Sequence, residues 1–204
     1  MTLTVVAIAD SALVRVGIAA AIAAHADLRL AATAGSMAEA QPLVSRLRPD
    51  VTLVDNELAD GEGLAYAAQL RRGRPDLGLV LIAPRSDDLL FRALDAGISA
   101  YVPRSAPVEE VLAAIRHAAA APASFIAPDL AAALVRRRQQ ASALSPREVE
   151  VLRLLVDGLS AQRISSTLRV SESTVKTYLG RVYDKLGVRT RAEAMDAAGQ
   201  LGLV

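Results

Sequence analysis

The chain has 204 residues, 52% of them apolar and only 3% aromatic, so it can bury a sizeable core, and that core must be aliphatic and alanine-rich. Cysteine is absent, which excludes disulfides, cysteine nucleophiles and thiolate metal sites, and the two histidines, His25 and His117, stand in unrelated stretches that cannot form a metal cluster. The net charge of +1 hides an asymmetry, because residues 1–135 carry 11 Arg against 15 Asp/Glu (−4) and residues 136–204 carry 12 Lys/Arg against 7 Asp/Glu (+5), which suggests two domains and a polyanionic partner for the second.

Residues 3–24, LTVVAIADSALVRVGIAAAIAA, are apolar enough to resemble a signal peptide or a membrane span. No basic segment precedes them, and Asp10 and Arg15 interrupt the run. A buried strand, a turn and a helix fit better, and the expected location is cytoplasmic. Short β-rich runs occur at Thr4–Ala9, Leu28–Thr33, Val51–Val54, Leu79–Ala83 and Ala100–Val102, nearly unbroken, as parallel strands buried on both faces are. Amphipathic stretches at about 12–24, 36–47, 63–73, 87–96 and 107–120 alternate with them. Five strand–helix units in a row predict a doubly wound, five-stranded parallel α/β domain over 1–120. Such sheets work beyond the carboxyl ends of their strands. Asp10, Asp55 and the residues just after Leu81 and Val102 fall there.

Residues 121–142, APASFIAPDLAAALVRRRQQAS, read as a linker with a short helix from about Pro128, its Arg136–Arg138 run a solvated helix end or a contact to phosphates. Residues 143–204 are helical throughout. Ser145-Pro146-Arg147-Glu148 combines a capping box with proline at the first helical position. Asp157-Gly158 stops that helix and Ser160 caps the next. Ser171 caps a third helix, which Gly187 ends, and Thr190-Arg191-Ala192-Glu193 opens a fourth. The tight turn between the second and third predicts a small all-α helix-turn-helix domain.

Within SESTVKTYLGRVYDKLG (171–187), Val175, Leu179, Val182 and Leu186 recur at helical spacing and face a core. Ser173, Lys176, Thr177 and Gly180 share the opposite face, with Arg181 beside them. Small hydroxyls and cations are what a helix entering the major groove needs. An ordinary amphipathic surface helix has the same periodicity.

The wording of 144–194 is more specific. Its SPRE-EVL, STVK and KLGVR-R-EA elements closely resemble the DNA-binding domain of LuxR-type regulators at the family spacing. The resemblance implies a third helix in the major groove, with Lys176 and Thr177 as leading contacts and Ser171, Ser173 and Arg181 in support. It also implies a dimer of the chain through the last helix, where Ala192, Met195 and Gly199 share a small-residue face; the same face could instead pack on its own domain. Three positions depart from the pattern: Gly180 lacks the usual polar side chain, Arg163 replaces an acid, and Arg169 stands where the turn often has glycine.

With the five strand–helix units in front, nearly the whole chain resembles response regulators of the NarL/FixJ family. The resemblance implies a receiver domain and makes Asp55, in VTLVDNELADGEG (51–63), the aspartate phosphorylated by a histidine kinase. The charge of a phosphoryl group needs Mg²⁺, which the resemblance implies is held by Asp55, two acids after the first strand and a backbone carbonyl. Asp10 is the one acid there, flanked by Ala9 and Ser11, and Glu57 supplies the carbonyl. The hydroxyl expected after the fourth strand is replaced by Ala83 and Pro84, with Ser86 a weak substitute. Arg104 replaces the lysine after the fifth strand, an unequal exchange because its fork is bulkier. Tyr101 keeps the aromatic switch position. One acid and the hydroxyl are therefore missing, and Mg²⁺ affinity and phosphorylation should be weak or absent.

The expected function is a sequence-specific transcription regulator that binds double-stranded DNA, with a palindromic operator and an incomplete receiver. Ordinary kinase control through Asp55 is the alternative, and an unknown small ligand could replace the kinase. An anti-activator that forms heterodimers away from DNA is a lesser reading. An enzyme is not expected: ADSALVRVG lacks a glycine-rich phosphate loop and no nucleophile–base pair is present.

Overall fold

The computed structural model describes residues 2–200 and Gly202. Contacts divide the chain into two compact units, 1–130 and 131–204.

The first unit holds β1 (Leu3–Ile8), α1 (Ala12–Ala23), β2 (Leu28–Ala34), α2 (Met37–Leu47) and β3 (Val51–Asp55). It continues with the short strands β4 (Glu57–Leu58) and β5 (Gly61–Glu62), then α3 (Gly63–Gly73), β6 (Gly78–Ala83), α4 (Asp87–Asp95), β7 (Ala100–Pro103) and α5 (Val108–Ala120). The five long strands form one sheet in the order β2-β1-β3-β6-β7, every neighbouring pair parallel. Parallel strands are apolar along their length because helices cover both faces. All five residues of β3 and all six of β6 are accordingly buried. Val5, Leu53, Val80, Val102 and Ile115 belong to one continuous core. The order reverses at β1 and β3, which places Asp10 and Asp55 together at the carboxyl edge.

Two features were not anticipated. The acidic stretch after Asp55 is an antiparallel hairpin, with Glu57 opposite Glu62 and Leu58 opposite Gly61. The carboxylate of Asp60 accepts the Met37 and Ala38 amides at the start of α2, both at 3.0 Å. Glu62 takes a bidentate pair from Arg92 of α4 at 2.8 and 2.9 Å. The hairpin is thus pinned on both sides. Second, part of the stretch read as a linker is paired: Ile126 bridges Ala100 in parallel, adding to the β7 edge.

The second unit begins with α6 (Leu130–Ala143), which starts two residues after the predicted Pro128. There follow α7 (Pro146–Val156), α8 (Ala161–Leu168), α9 (Glu172–Leu186) and α10 (Arg191–Gln200). Ser145, Ser160 and Ser171 each cap their helix through the side chain, and Ser145 with Glu148 completes the capping box. Val151, Leu152, Ile164, Val175, Val182, Ala194 and Ala198 form the core of the unit.

Candidate functional site

At the carboxyl edge of the first sheet, Asp55 ends β3 and is 5% exposed. Arg104, just beyond β7, reaches it with Nη2 2.6 Å from Oδ1 and gives Nη1 to Glu57 Oε2 at 2.5 Å. One guanidinium thus spans both carboxylates, and the bond to Asp55 is the main reason Arg104 binds its proton even more tightly than usual. The Glu57 amide also donates to Asp55 Oδ1, at 3.1 Å. The same oxygen therefore already accepts two hydrogen bonds.

Around this pair, Asp10 is exposed, Ala9 is buried and Ser11 caps α1. Arg15, which sequence reasoning passed over, lays its guanidinium on the carbonyls of Ala9 and Asp10 at 2.6 and 2.7 Å. A cation thus sits beside the acid expected to attract a metal. Its only signal was a basic residue one turn into α1. Ala83 is fully buried and brings no hydroxyl. Ser86 Oγ accepts the Leu89 amide at 3.3 Å as the cap of α4, which ties it to the start of that helix. Tyr101 is turned inward: its hydroxyl donates to the Pro84 carbonyl and accepts the Ser86 amide at 3.2 Å. Burial is the main reason its phenol loses its proton less readily than usual.

Mg²⁺ requires about six oxygen ligands in octahedral geometry. The edge offers the carboxylates of Asp10 and Asp55 and the Glu57 carbonyl, with the rest left to water. The Glu57 side chain is turned to Arg104. Among the described residues no group of three or more His, Cys, Asp or Glu side chains could hold a metal ion. The donor set at this edge is thus two carboxylates and one carbonyl, with the guanidinium groups of Arg15 and Arg104 beside them.

In the second unit, Ser171, Ser173, Lys176, Thr177, Gly180 and Arg181 are all exposed. Val175 and Val182 are fully buried on the other side of α9, and Leu179 and Leu186 are half-buried. Hence α9 presents one polar, cationic face backed by the core. The Thr177 hydroxyl is turned back to the Ser173 carbonyl at 3.0 Å, and Lys176 pairs with Glu172 at 3.0 Å, a contact not foreseen. A Cβ on Gly180 would meet nothing within 4 Å, so packing does not require glycine there. On α10, Ala192 and Gly199 are exposed and Met195 half-buried, while Ala194 and Ala198 face the core.

Residues 5–116, over half of the chain, match the family described as the response regulator receiver domain, and residues 142–198 match bacterial regulatory proteins of the luxR family. The chain belongs to the response regulators: a receiver domain followed by a LuxR-type DNA-binding domain. Among its relatives, the response regulator protein VraR of Staphylococcus aureus is 28% identical over 208 residues, covering 100% of both chains. The crystal structure of the response regulator ChrA of a heme-sensing two-component system is 28% identical at a TM-score of 0.56, covering 100% of this chain and 99% of that one. The Salmonella typhimurium response regulator RcsB shares the fold at a TM-score of 0.70 and 20% identity, covering 97% and 98%. No helix among the described residues is long and apolar enough to cross a membrane.

Proposed function

We propose that this protein is a dimeric, sequence-specific transcription regulator that inserts α9 into the major groove of double-stranded DNA and whose receiver gives weak or no phosphorylation control. The exposed face of α9, with Lys176 and Arg181 flanking Thr177, carries the first part of this reading. Lys176 and Thr177 approach base edges, Arg181 and the hydroxyls of Ser171 and Ser173 approach the backbone, and Gly180 leaves a gap where a further contact could stand. Support comes from solved RcsB structures described as dimers and complexes bound to DNA. The outward Ala192, Met195 and Gly199 of α10 would form the contact between copies.

The reading of the receiver rests on the Asp55 edge. Asp55 would be a phosphoryl acceptor with Arg104 as its cation, Asp10 and the Glu57 carbonyl as thin support for Mg²⁺, and no hydroxyl to bind the incoming oxygens. The alternative, ordinary kinase control, is favoured by the place of Asp55 at the carboxyl edge with Arg104 at 2.6 Å. Treatment with Mg²⁺ and acetyl phosphate, followed by intact-protein mass measurement, separates the two. We expect little or no added phosphoryl mass; a stoichiometric gain that Asp55→Asn abolishes would establish kinase-type control instead.

A further inference from the structure

The chain between α5 and α6 is bonded to the output side of the sheet at three levels. Near its start, the Pro122 carbonyl accepts from the buried Ser99 hydroxyl at 2.7 Å and from Arg71 Nη2 at 2.9 Å. In its middle, Ile126 joins the free edge of β7: the Tyr101 amide donates to the Ile126 carbonyl at 2.9 Å, and the Ile126 amide donates to the Ser99 carbonyl at 3.0 Å. At its end, Asp129 pairs with Arg85, in the β6–α4 loop. That loop is the one the Tyr101 hydroxyl holds through Pro84 and Ser86. The neighbouring Ala83 carbonyl accepts the amide of Arg104, the residue that covers Asp55. Asp129 directly precedes α6.

The attachment is built to be released. The Arg85 side chain is 63% exposed and that of Asp129 28%, and ion pairs so open to water are weak. Among the described residues two backbone bonds hold Ile126 to the sheet edge, and His117 Nε2 of α5 lies 3.1 Å from the Ser124 carbonyl. An open cavity of about 250 Å³, lined by Val102, Ala113, Ala114, Ile126 and Pro128 among others, lies beneath the segment, so it is not close-packed on α5.

We propose that residues 122–129 are a latch: a segment bridged to the β7 edge at Ile126 that carries the position of the 84–86 loop to the first turns of α6. Any change at Asp55 and Arg104 that shifts this loop strains the Arg85–Asp129 pair and the Tyr101 bonds together. Ile126 then leaves β7, and the start of α6 loses its anchor. The latch deepens the proposed function, because it makes this segment the route by which the first unit would alter DNA binding.

Amide hydrogen exchange on the full chain tests it. Arg85→Ala and Asp129→Ala should each speed exchange at Tyr101, at Ile126 and in the first turns of α6 by about two- to fivefold. The exchanged pair Arg85→Asp with Asp129→Arg should return all three toward the wild-type rate. Unchanged rates at Ile126, or faster exchange at Ile126 with α6 unaffected, would overturn the latch. DNA affinity of the same variants, on a duplex selected by the wild-type protein, is read separately. An absence of any wild-type binding would count against the DNA-binding reading while leaving the exchange result to decide the latch.

Discussion

Arg169 sits in the left-handed region, at φ 53° and ψ 45°, as the C-cap of α8. For a residue with a Cβ this costs on the order of 1 kcal/mol. Its amide still closes the helix onto Ser165 and Ser166, and Arg147 Nη2 donates to the Leu168 carbonyl at 2.9 Å, which helps to hold the end shut. Nothing in the structure explains why arginine occupies the position. Arg169→Gly should therefore stabilise the second unit by about 1 kcal/mol, read as slower amide exchange in α8 and α9; faster exchange would show that the side chain gives more than the backbone loses. Glu148 offers a test in pH. Hydrogen bonds from Lys185, and then from the Ser145 amide, lower its pKa to about 2. Because the folded value lies below the ordinary one, this stability is fully present above about pH 4.5 and drains away as the pH falls toward 2. Glu148→Gln should lower the stability of the second unit at pH 7 by roughly 1–3 kcal/mol, with the gap closing in denaturant titrations at pH 3. An equal gap at both pH values would rule out the charge as the source.

Among the elements, the turn from β3 into α3 is the tightest. The Gly63 amide donates to the Asn56 carbonyl at 2.8 Å, and a Cβ on Gly63 would lie 2.1 Å from the backbone oxygen of Asp55. No rotamer relieves such a clash, so Gly63→Ala must displace the strand end that carries Asp55. The expected cost exceeds about 2 kcal/mol, seen as a lower unfolding midpoint of the first unit. On α9, Lys176 is held by Glu172 one turn earlier, a surface pair worth about 0.3–0.5 kcal/mol, so DNA can take the lysine at little cost. Glu172→Gln should tighten DNA binding by about twofold, and Lys176→Ala should weaken it by roughly 1–3 kcal/mol in a mobility-shift titration at fixed salt. Unchanged affinity in the second variant would remove Lys176 from the interface.

For the whole molecule, the quantity to measure is salt dependence. A dimer placing Arg181 of two copies on phosphates should show a log–log slope with salt of roughly −2, and a monomer about half that. A slope near zero would mean that no phosphate is neutralised. Much of the architecture was legible beforehand. The five strands and five helices of the first unit, and the serine-capped helices of the second, appear within a few residues of their expected places. The hairpin after Asp55 was not legible, since pairs of two residues leave no periodic signal. Nor was the engagement of Ser86 and Tyr101, which depends on where the β6–α4 loop settles.

What the sequence alone determined is local or repetitive: the alternation of apolar runs and amphipathic helices, the caps, the motifs of α7 to α10, and an aspartate at the end of β3. These follow from hydrophobic periodicity and short-range hydrogen bonding, which neighbouring residues dictate. Only the tertiary structure decided that one guanidinium joins Asp55 to Glu57, that Arg15 lies on the carbonyls of Ala9 and Asp10, and that Ile126 completes the β7 edge. The Arg104 and Ile126 contacts join residues 25 to 49 positions apart, and the reach of Arg15 depends on how α1 leaves β1. Which polar partners meet at the carboxyl edge is set by how the sheet assembles, not by the spacing of the residues along the chain.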